Sequence, residues 1–259
     1  MIRKICLIGA GNVATHLGIH LRQAGLEILQ VCSRTETSAM RLASLLDCSF
    51  TTQPDQIVEN ADLYIFSVPD QALEELIVKF PHNNAFVVHT SGSTAMEILA
   101  GRHLRYGVFY PLQTFSREVE VDFSTIPLCL EAQDEAHLQQ LEQLGALLSE
   151  RIMRVNSQQR LFLHIAAVFA CNFTNHMYAI ADDLLRQNQL DLSLLHPLMK
   201  ETLQKALSHP PARVQTGPAV RSDEITLDKH LSQLEPLPTY QKIYTFVSRS
   251  ISETQNKKT

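Results

Sequence analysis

The sequence predicts an α/β protein in two parts: a doubly wound parallel sheet over residues 1–155, then an all-helical part over residues 156–259. Three observations carry this expectation. Short apolar, β-branched runs alternate with amphipathic stretches through the first 155 residues, the pattern that places helices on the faces of a parallel sheet. The first run ends in a glycine turn that opens a helix. After residue 155 no strand pattern returns, and 158–187 contains neither Gly nor Pro.

In chain order, strands are expected at Ile2–Ile8, Ile28–Cys32, Leu63–Ser67, Phe86–His89, Tyr106–Phe109, Leu128–Glu131 and Ile152–Val155. Crossover helices are expected at Asn12–Gln23, Thr37–Leu46, Gln71–Phe80 and Asp134–Leu148. Gln158–Gln187 reads as one continuous helix about 45 Å long, at roughly 1.5 Å per residue. Its most apolar stretch, Leu161–Phe173, is too short for a membrane span and is expected to be buried. Further helices are expected around Leu192–Leu207, Leu227–Leu234 and Tyr240–Ser250, with a Pro/Gly/Arg loop at His209–Asp223.

Composition narrows the function classes. The chain has 259 residues, 45% of them hydrophobic and 19% charged, enough to build a core without metal or disulfides. With 22 Lys plus Arg against 27 Asp plus Glu, and no dense basic cluster, nucleic acid is not an expected partner. The five cysteines form no CxxC pair, which argues against a disulfide framework or a zinc site and fits a reducing cytoplasm. The N-terminus lacks the apolar core and cleavage site of a signal peptide. No membrane association and no metal are expected.

The strongest motif is Gly9-Ala10-Gly11-Asn12-Val13-Ala14. Gly9 permits the tight turn, Gly11 lets a pyrophosphate approach the backbone, and Ala14 packs the helix closely on the strand. The free amides and partial positive charge of the helix N-terminus then face the phosphates. This is a Rossmann-type dinucleotide site. Selection between dinucleotides falls to the end of the second strand, where NAD-preferring sites place a carboxylate on the ribose hydroxyls. Here the chain reads Ser33-Arg34-Thr35, with no acid before Glu36, so two hydroxyls and a guanidinium favour the 2′-phosphate of NADP. Arg34 as a plain solvated charge is the alternative.

Later strand ends add Ser67-Val68-Pro69-Asp70, expected beside the nicotinamide, and Thr90-Ser91-Gly92, expected to meet substrate. Gln113 or Thr114 after the following strand could reach the same crevice. On the long helix, His164, Asn172, Asn175 and His176 interrupt an apolar face and must find partners or serve a site. Projected at 100° per residue they fall along one stripe. In the last loop, Gln215, Thr216, Gly217 and Arg221 offer backbone approach and a bidentate cation for a carboxylate, unless Arg221 simply pairs with Asp223. His16 and His20 are spaced i, i+4, but the intervening Leu17, Gly18 and Ile19 lack the glutamate of a zinc-protease helix.

GAGNVATHL, CSRT, FSVPD, HTSGS, YPLQTFS, LHIAAVFACNFTNH and QTGPAVRSD occur in this order across nearly the whole chain. Together they resemble uncharacterised bacterial oxidoreductase-like proteins in which a Rossmann-like domain precedes a helical domain of unknown function. The N-terminal half is also similar to pyrroline-5-carboxylate reductase, and the two-domain plan to the 6-phosphogluconate dehydrogenase-like superfamily. The resemblance implies an NADP(H)-dependent reductase acting in a cleft between the domains, and some members of the closer family are linked to ketopantoate reduction. It assigns Gly9, Gly11, Ser33, Arg34 and Thr35 to the cofactor, and His164 and Asn172 to the substrate side. The chain departs from the superfamily in lacking its catalytic Lys and following Asn, where His164 and Val168 stand. Tyr110 also stands where the resemblance leads one to expect His before Pro.

The expected function is therefore hydride transfer from NADPH to a small carboxylate-bearing carbonyl or imine. His164 is expected as proton donor, since imidazole titrates near neutrality, and Asn172 as hydrogen-bond donor to the reacting oxygen. A non-catalytic dinucleotide sensor is the competing reading. A homodimer is expected because about 100 helical residues make a limited core.

Overall fold

The computed structural model describes residues 2–81, 84–101, 105–116 and 119–256. Two compact units are found, Met1–Cys171 and Asn172–Thr259. The residue 155/156 position expected as a domain boundary falls in the link between the last strand and the long helical run.

In the first unit the elements are β1 (Lys4–Ile8), α1 (Asn12–Gln23), β2 (Glu27–Cys32), α2 (Glu36–Leu46), β3 (Ser49–Thr51), β4 (Leu63–Phe66), α3 (Asp70–Lys79), β5 (Phe86–His89), β6 (Arg105–Pro111), β7 (Leu128–Ala132), α4 (Glu135–Gly145), β8 (Ile152–Arg154) and α5 (Ser157–Ala167). Among the described residues the strands form one eight-stranded sheet in the order β3-β2-β1-β4-β5-β6-β7-β8. The order reverses between β1 and β4, and the carboxyl ends of those two strands flank the crevice where open α/β sheets bind ligands.

Alternation along β1 shows how the core is divided. Ile5 and Leu7 join Leu17, Leu21, Leu42 and Leu46 of α1 and α2 on one face. Cys6 and Ile8 join Tyr64, Phe66, Leu73 and Phe80 on the other. Both faces are covered, so β1 and β4 read as continuous apolar runs rather than as alternating ones.

Three features differ from the sequence expectation. The β6–β7 pair is antiparallel, because residues 112–127 contain no crossover helix among those described, and a parallel return needs one. β3 is an added edge strand of three residues with only Thr51 buried, too short to leave a period-two signal. The run expected as one helix is α5, a π-helical segment Val168–Phe173, and α6 (Thr174–Gln187). A π turn advances by a different angle per residue, so the projection that aligned His164 with Asn175 does not carry across it.

Nor is the apolar stretch of that run buried in the single chain. Arg160 is the one buried residue of α5, and Phe162 is 63% exposed. The second unit continues with α7 (His196–Ser208), α8 (Glu224–Gln233) and α9 (Pro238–Asn256). Among its described residues only Ala219 and Leu234 are buried hydrophobics. No described helix is long and apolar enough to cross a membrane.

His89, at the end of β5, is fully buried. Its Nδ1 accepts from the Ser91 amide at 3.1 Å, and its Nε2 makes no hydrogen bond of good geometry among the described residues. Burial, reinforced by the Arg160 guanidinium, pushes its pKa down to about 4. The folded state thus holds His89 neutral while the unfolded chain protonates near 6.5, so its contribution is intact above about pH 6.5 and is lost as the pH falls towards 4. Urea denaturation of the full chain at pH 7 and pH 4 should show a loss on the order of 3 kcal/mol from this residue. His89→Asn, which keeps an acceptor for the Ser91 amide, should lose that much less stability over the same interval.

Candidate functional site

The glycine turn sits at the topological switch. Gly9 has φ +115°, and a Cβ there would fall 2.1 Å from the Ser67 carbonyl oxygen and 3.1 Å from Val68 Cγ1, so only glycine lets β1 turn against the end of β4. Gly11, the N-cap of α1, has no side chain to cap the helix. A Cβ there would meet no atom within 4 Å, which leaves open space before the first-turn amides of Asn12 and Val13. Donor chemistry and space both fit a dinucleotide pyrophosphate.

Neighbouring side chains brace this turn. Arg41 on α2 donates from Nη2 to the Ala10 carbonyl at 3.2 Å, a contact that sequence reasoning missed because Arg41 looks like any exposed helix charge. Asn12 Nδ2 of the side chain donates to the Phe115 carbonyl at 2.8 Å, and His16 Nε2 bonds Ser116 O at 2.8 Å while stacking on Phe115. His20 bonds its own helix at His16 O. Both histidines of the i, i+4 pair are therefore spent on structure. Gln113 and Thr114 bond each other locally at 2.8 Å.

At the end of β2, Ser33 donates its amide to Thr51 O at 3.1 Å. Arg34 and Thr35 are exposed, and Thr35 caps α2 without a side-chain bond. The Arg34 guanidinium has no hydrogen-bond or ion-pair partner recorded among the described residues. Pro69 is the N-cap of α3, extended at ψ 144°.

From the switch point a continuous series of contacts runs across the carboxyl ends of β4 and β5. Ser67 Oγ accepts from Thr90 Oγ1 at 3.2 Å. Ser91 Oγ accepts from the amides of Ser93 at 3.1 Å and Thr94 at 2.9 Å, and Ser93 Oγ donates to Asp70 at the start of α3. Within this loop Gly92 lies under two rings. A Cβ on it would fall 2.7 Å from His164 Nδ1 and 2.9 Å from Tyr110 Cζ. Those rings meet edge to face, with Tyr110 Oη 3.1 Å from His164 Nδ1. The structure therefore brings Gly9, Ser67, Ser91, Gly92 and His164 together along one edge, and adds Tyr110.

Arg160, one helical turn before His164, holds that arrangement. Its guanidinium is fully buried, pairs with Glu131 on β7, and donates to the Thr94 carbonyl at 2.6 Å and Ser157 Oγ at 3.2 Å. Glu131 also accepts from the Ser157 amide at 2.9 Å and hydroxyl at 2.8 Å. The signal for Arg160 was its i, i+4 spacing from His164 on one helix face. Nothing in the sequence joined it to Glu131.

In the second unit Asn172, Asn175 and His176 are exposed. Gln215 and Thr216 are exposed and bond each other, Nε2 to carbonyl, at 3.1 Å. Gly217 has φ +115° with open space around it. Thr216 and Gly217 also line an apolar cavity of about 280 Å³ with Met177, Leu184, Tyr240 and Tyr244. Asp223 caps α8 through Thr226, with no Arg221 ion pair among the described residues. Arg221 is exposed, and its amide donates to Pro218 O at 3.1 Å.

Comparison with known proteins follows this division. Residues 4–91 match the family described as NADP oxidoreductase, coenzyme F420-dependent, and residues 126–251 match the domain of unknown function DUF2520. A candidate NADP oxidoreductase from Bacteroides fragilis is 42% identical over 97% of this chain and 98% of its own, with a TM-score of 0.90. A Thermotoga maritima protein, 21% identical over 98% and 99% of the two chains, superposes with a TM-score of 0.71. A reductive aminase from Aspergillus terreus, solved with NADPH and ethyl levulinate, is 14% identical over 99% of each chain with a TM-score of 0.73. The last two share the fold. No curated protein matches the sequence. The glycine turn at the switch point and the near full-length identity to the Bacteroides protein agree, and the chain belongs to a family of NADP oxidoreductases that joins a dinucleotide-binding domain to a DUF2520 domain.

Proposed function

We propose that the protein is an NADPH-dependent reductase of a small carbonyl or imine compound that carries a carboxylate, with a ketopantoate-like 2-oxo acid as the first substrate to test. One observation carries the reading: the contacts from Gly9 through Ser67 and Thr90 to Gly92 and His164 put a titratable side chain in line with the dinucleotide turn. When bound, the reduced nicotinamide supplies the hydride. The protein's own residues do the rest. Gly9 and Ala10 shape the turn, with the Gly9 amide donated to Cys32 O at 2.7 Å, and the amides of Gly11, Asn12 and Val13 hold the pyrophosphate. Ser33, Arg34 and Thr35 hold the 2′-phosphate, and the Ser67-Val68-Pro69 edge lies along the nicotinamide.

On the substrate side, Ser91 and Gly92 present backbone to the reacting group and His164 donates the proton that the new alkoxide or amine requires. Asn172 is assigned to the reacting oxygen, with Asn175, Gln215, Thr216 and Gly217 around the substrate. Arg221 is assigned to the carboxylate, which a guanidinium binds through two parallel hydrogen bonds. The imine alternative is supported by the shared fold of the Aspergillus terreus reductive aminase.

We also propose a homodimer. Phe162, Leu198, Leu207, Ile225 and Phe246 are each more than half exposed in the single chain, and a second unit with two buried hydrophobics has too little core to stand alone. A second copy is the occupant favoured here because self-complementary association is the commonest way to cover such a permanent surface. Light scattering should give about twice the 29.2 kDa chain mass, and Leu198→Glu combined with Phe162→Glu should lower it. A wild-type monomer at micromolar concentration would refute the dimer.

Calorimetric titration with NADPH and NADH, followed by NADPH oxidation with ketopantoate, other 2-oxo acids and cyclic imines, tests the activity. Selective NADPH binding with turnover is expected. Arg34→Ala should weaken NADPH by about tenfold or more, the worth of a charge-assisted contact, and leave NADH almost unchanged. Equal losses would remove the 2′-phosphate assignment, and binding without turnover across the panel would favour a sensor.

A further inference from the structure

Tyr110, which meets His164, has been given no role so far. We infer that Tyr110 is a positioning residue that fixes the tautomer of His164 through Nδ1 and delivers a proton to that nitrogen as Nε2 gives one up. The inference rests on the reductase reading and deepens it.

Geometry supplies the first argument. Tyr110 Oη lies 3.1 Å from His164 Nδ1, and no other partner of either group is recorded among the described residues. The ring centroids are 6.2 Å apart at 73°. The two rings are packed onto Gly92 so closely that a methyl group there would overlap His164 Nδ1 and Cγ and Tyr110 Cζ. Arg160 holds α5 to the Thr94 carbonyl and to Glu131, so His164 has little freedom to leave. Tyr110 in turn is held in β6, paired with Cys129 of β7.

The relay takes the phenol as donor. Burial pushes the Tyr110 phenol up to about 12, so it stays protonated near neutral pH and has a proton to donate to Nδ1 in the tautomer that leaves that nitrogen bare. A neutral imidazole with Nδ1 as acceptor carries its proton on Nε2. That N–H can polarise a carbonyl oxygen before reduction.

After hydride has been delivered to the carbonyl carbon, the C–O π pair becomes an alkoxide lone pair. The Nε2–H bond breaks and its proton joins that oxygen. The Tyr110 O–H bond breaks and its proton joins Nδ1, which leaves a neutral imidazole and a phenolate. Water then gives a proton to Nε2, releasing hydroxide to solvent, and the Nδ1 proton returns to the phenolate, so the starting tautomer is restored without rotation of the imidazole. A phenol is a stronger acid than an alcohol, so the transfer runs downhill overall.

The test uses full-length protein with ring-¹⁵N-labelled histidine, and His164→Gln assigns the His164 signals. In the wild type, without cofactor, His164 should show a protonated Nε2 and an Nδ1 shifted by an accepted hydrogen bond. Tyr110→Phe, which keeps the ring, should move Nδ1 towards the position of a free lone pair. Gly92→Ala, which forces the rings apart, should do the same. With a substrate in hand, Tyr110→Phe should lower kcat on the order of 100-fold, the usual weight of proton transfer, with KM and NADPH affinity nearly unchanged. An Nδ1 signal that ignores Tyr110→Phe overturns the inference whatever the activity. So does a shifted Nδ1 with unchanged kcat. A wild-type protein that turns over nothing overturns the reductase reading, and the relay with it, but does so while the ¹⁵N signals still report the hydrogen bond, which tells the two failures apart.

Discussion

The candidate site depends on one buried ion pair. A guanidinium removed from water costs several kcal/mol unless its donors are matched, and Arg160 is matched by Glu131, the Thr94 carbonyl and Ser157 Oγ. These partners come from β7, from the loop after β5, and from the first turn of α5. Losing any of them leaves a buried charge underpaired, so the three elements hold a common geometry. Arg160 Nε alone makes no recorded bond. Because His164 follows one helical turn later, its position is set by an interaction in which it takes no part.

Beside that charged pair, burial keeps two titratable groups neutral. His89 is held down and the Tyr110 phenol held up, each chiefly by desolvation. The two histidines of the edge then do different work. His89 is a fully buried acceptor that shapes the loop through the Ser91 amide, whereas His164 is half-buried and meets Tyr110 Oη through Nδ1. The shape of the loop also explains Gly92. It is demanded by the rings above it rather than by a positive φ.

The second unit has the opposite economy. Its helices place large apolar side chains at the surface of the chain, with Leu207 79% and Ile225 85% exposed. The polar residues singled out there, Asn172, Asn175, Gln215 and Arg221, lie on this sparsely packed unit, whereas His164 lies on the densely packed one. Loop chemistry is visible at Gly217 and Asp223, where a left-handed φ and a helix cap shape the turn.

The fold class, the helix Asn12–Gln23 and the role of Gly9 were legible in the sequence because each rests on local rules: strand period, turn chemistry, and the small residues that a tight turn requires. His164 stood out as a polar group on an apolar face. The sense of β7, the short β3 and the π segment left no such mark, since strand pairing is chosen by partners distant in the chain. Burial of 161–173 was misjudged because apolar composition does not say whether a chain covers its own surface. Tyr110, Glu131 and Arg160 acquired their meaning only in three dimensions, where residues 29 to 66 positions apart are brought within hydrogen-bond reach. Local sequence determined which elements form, and tertiary packing decided which side chains meet.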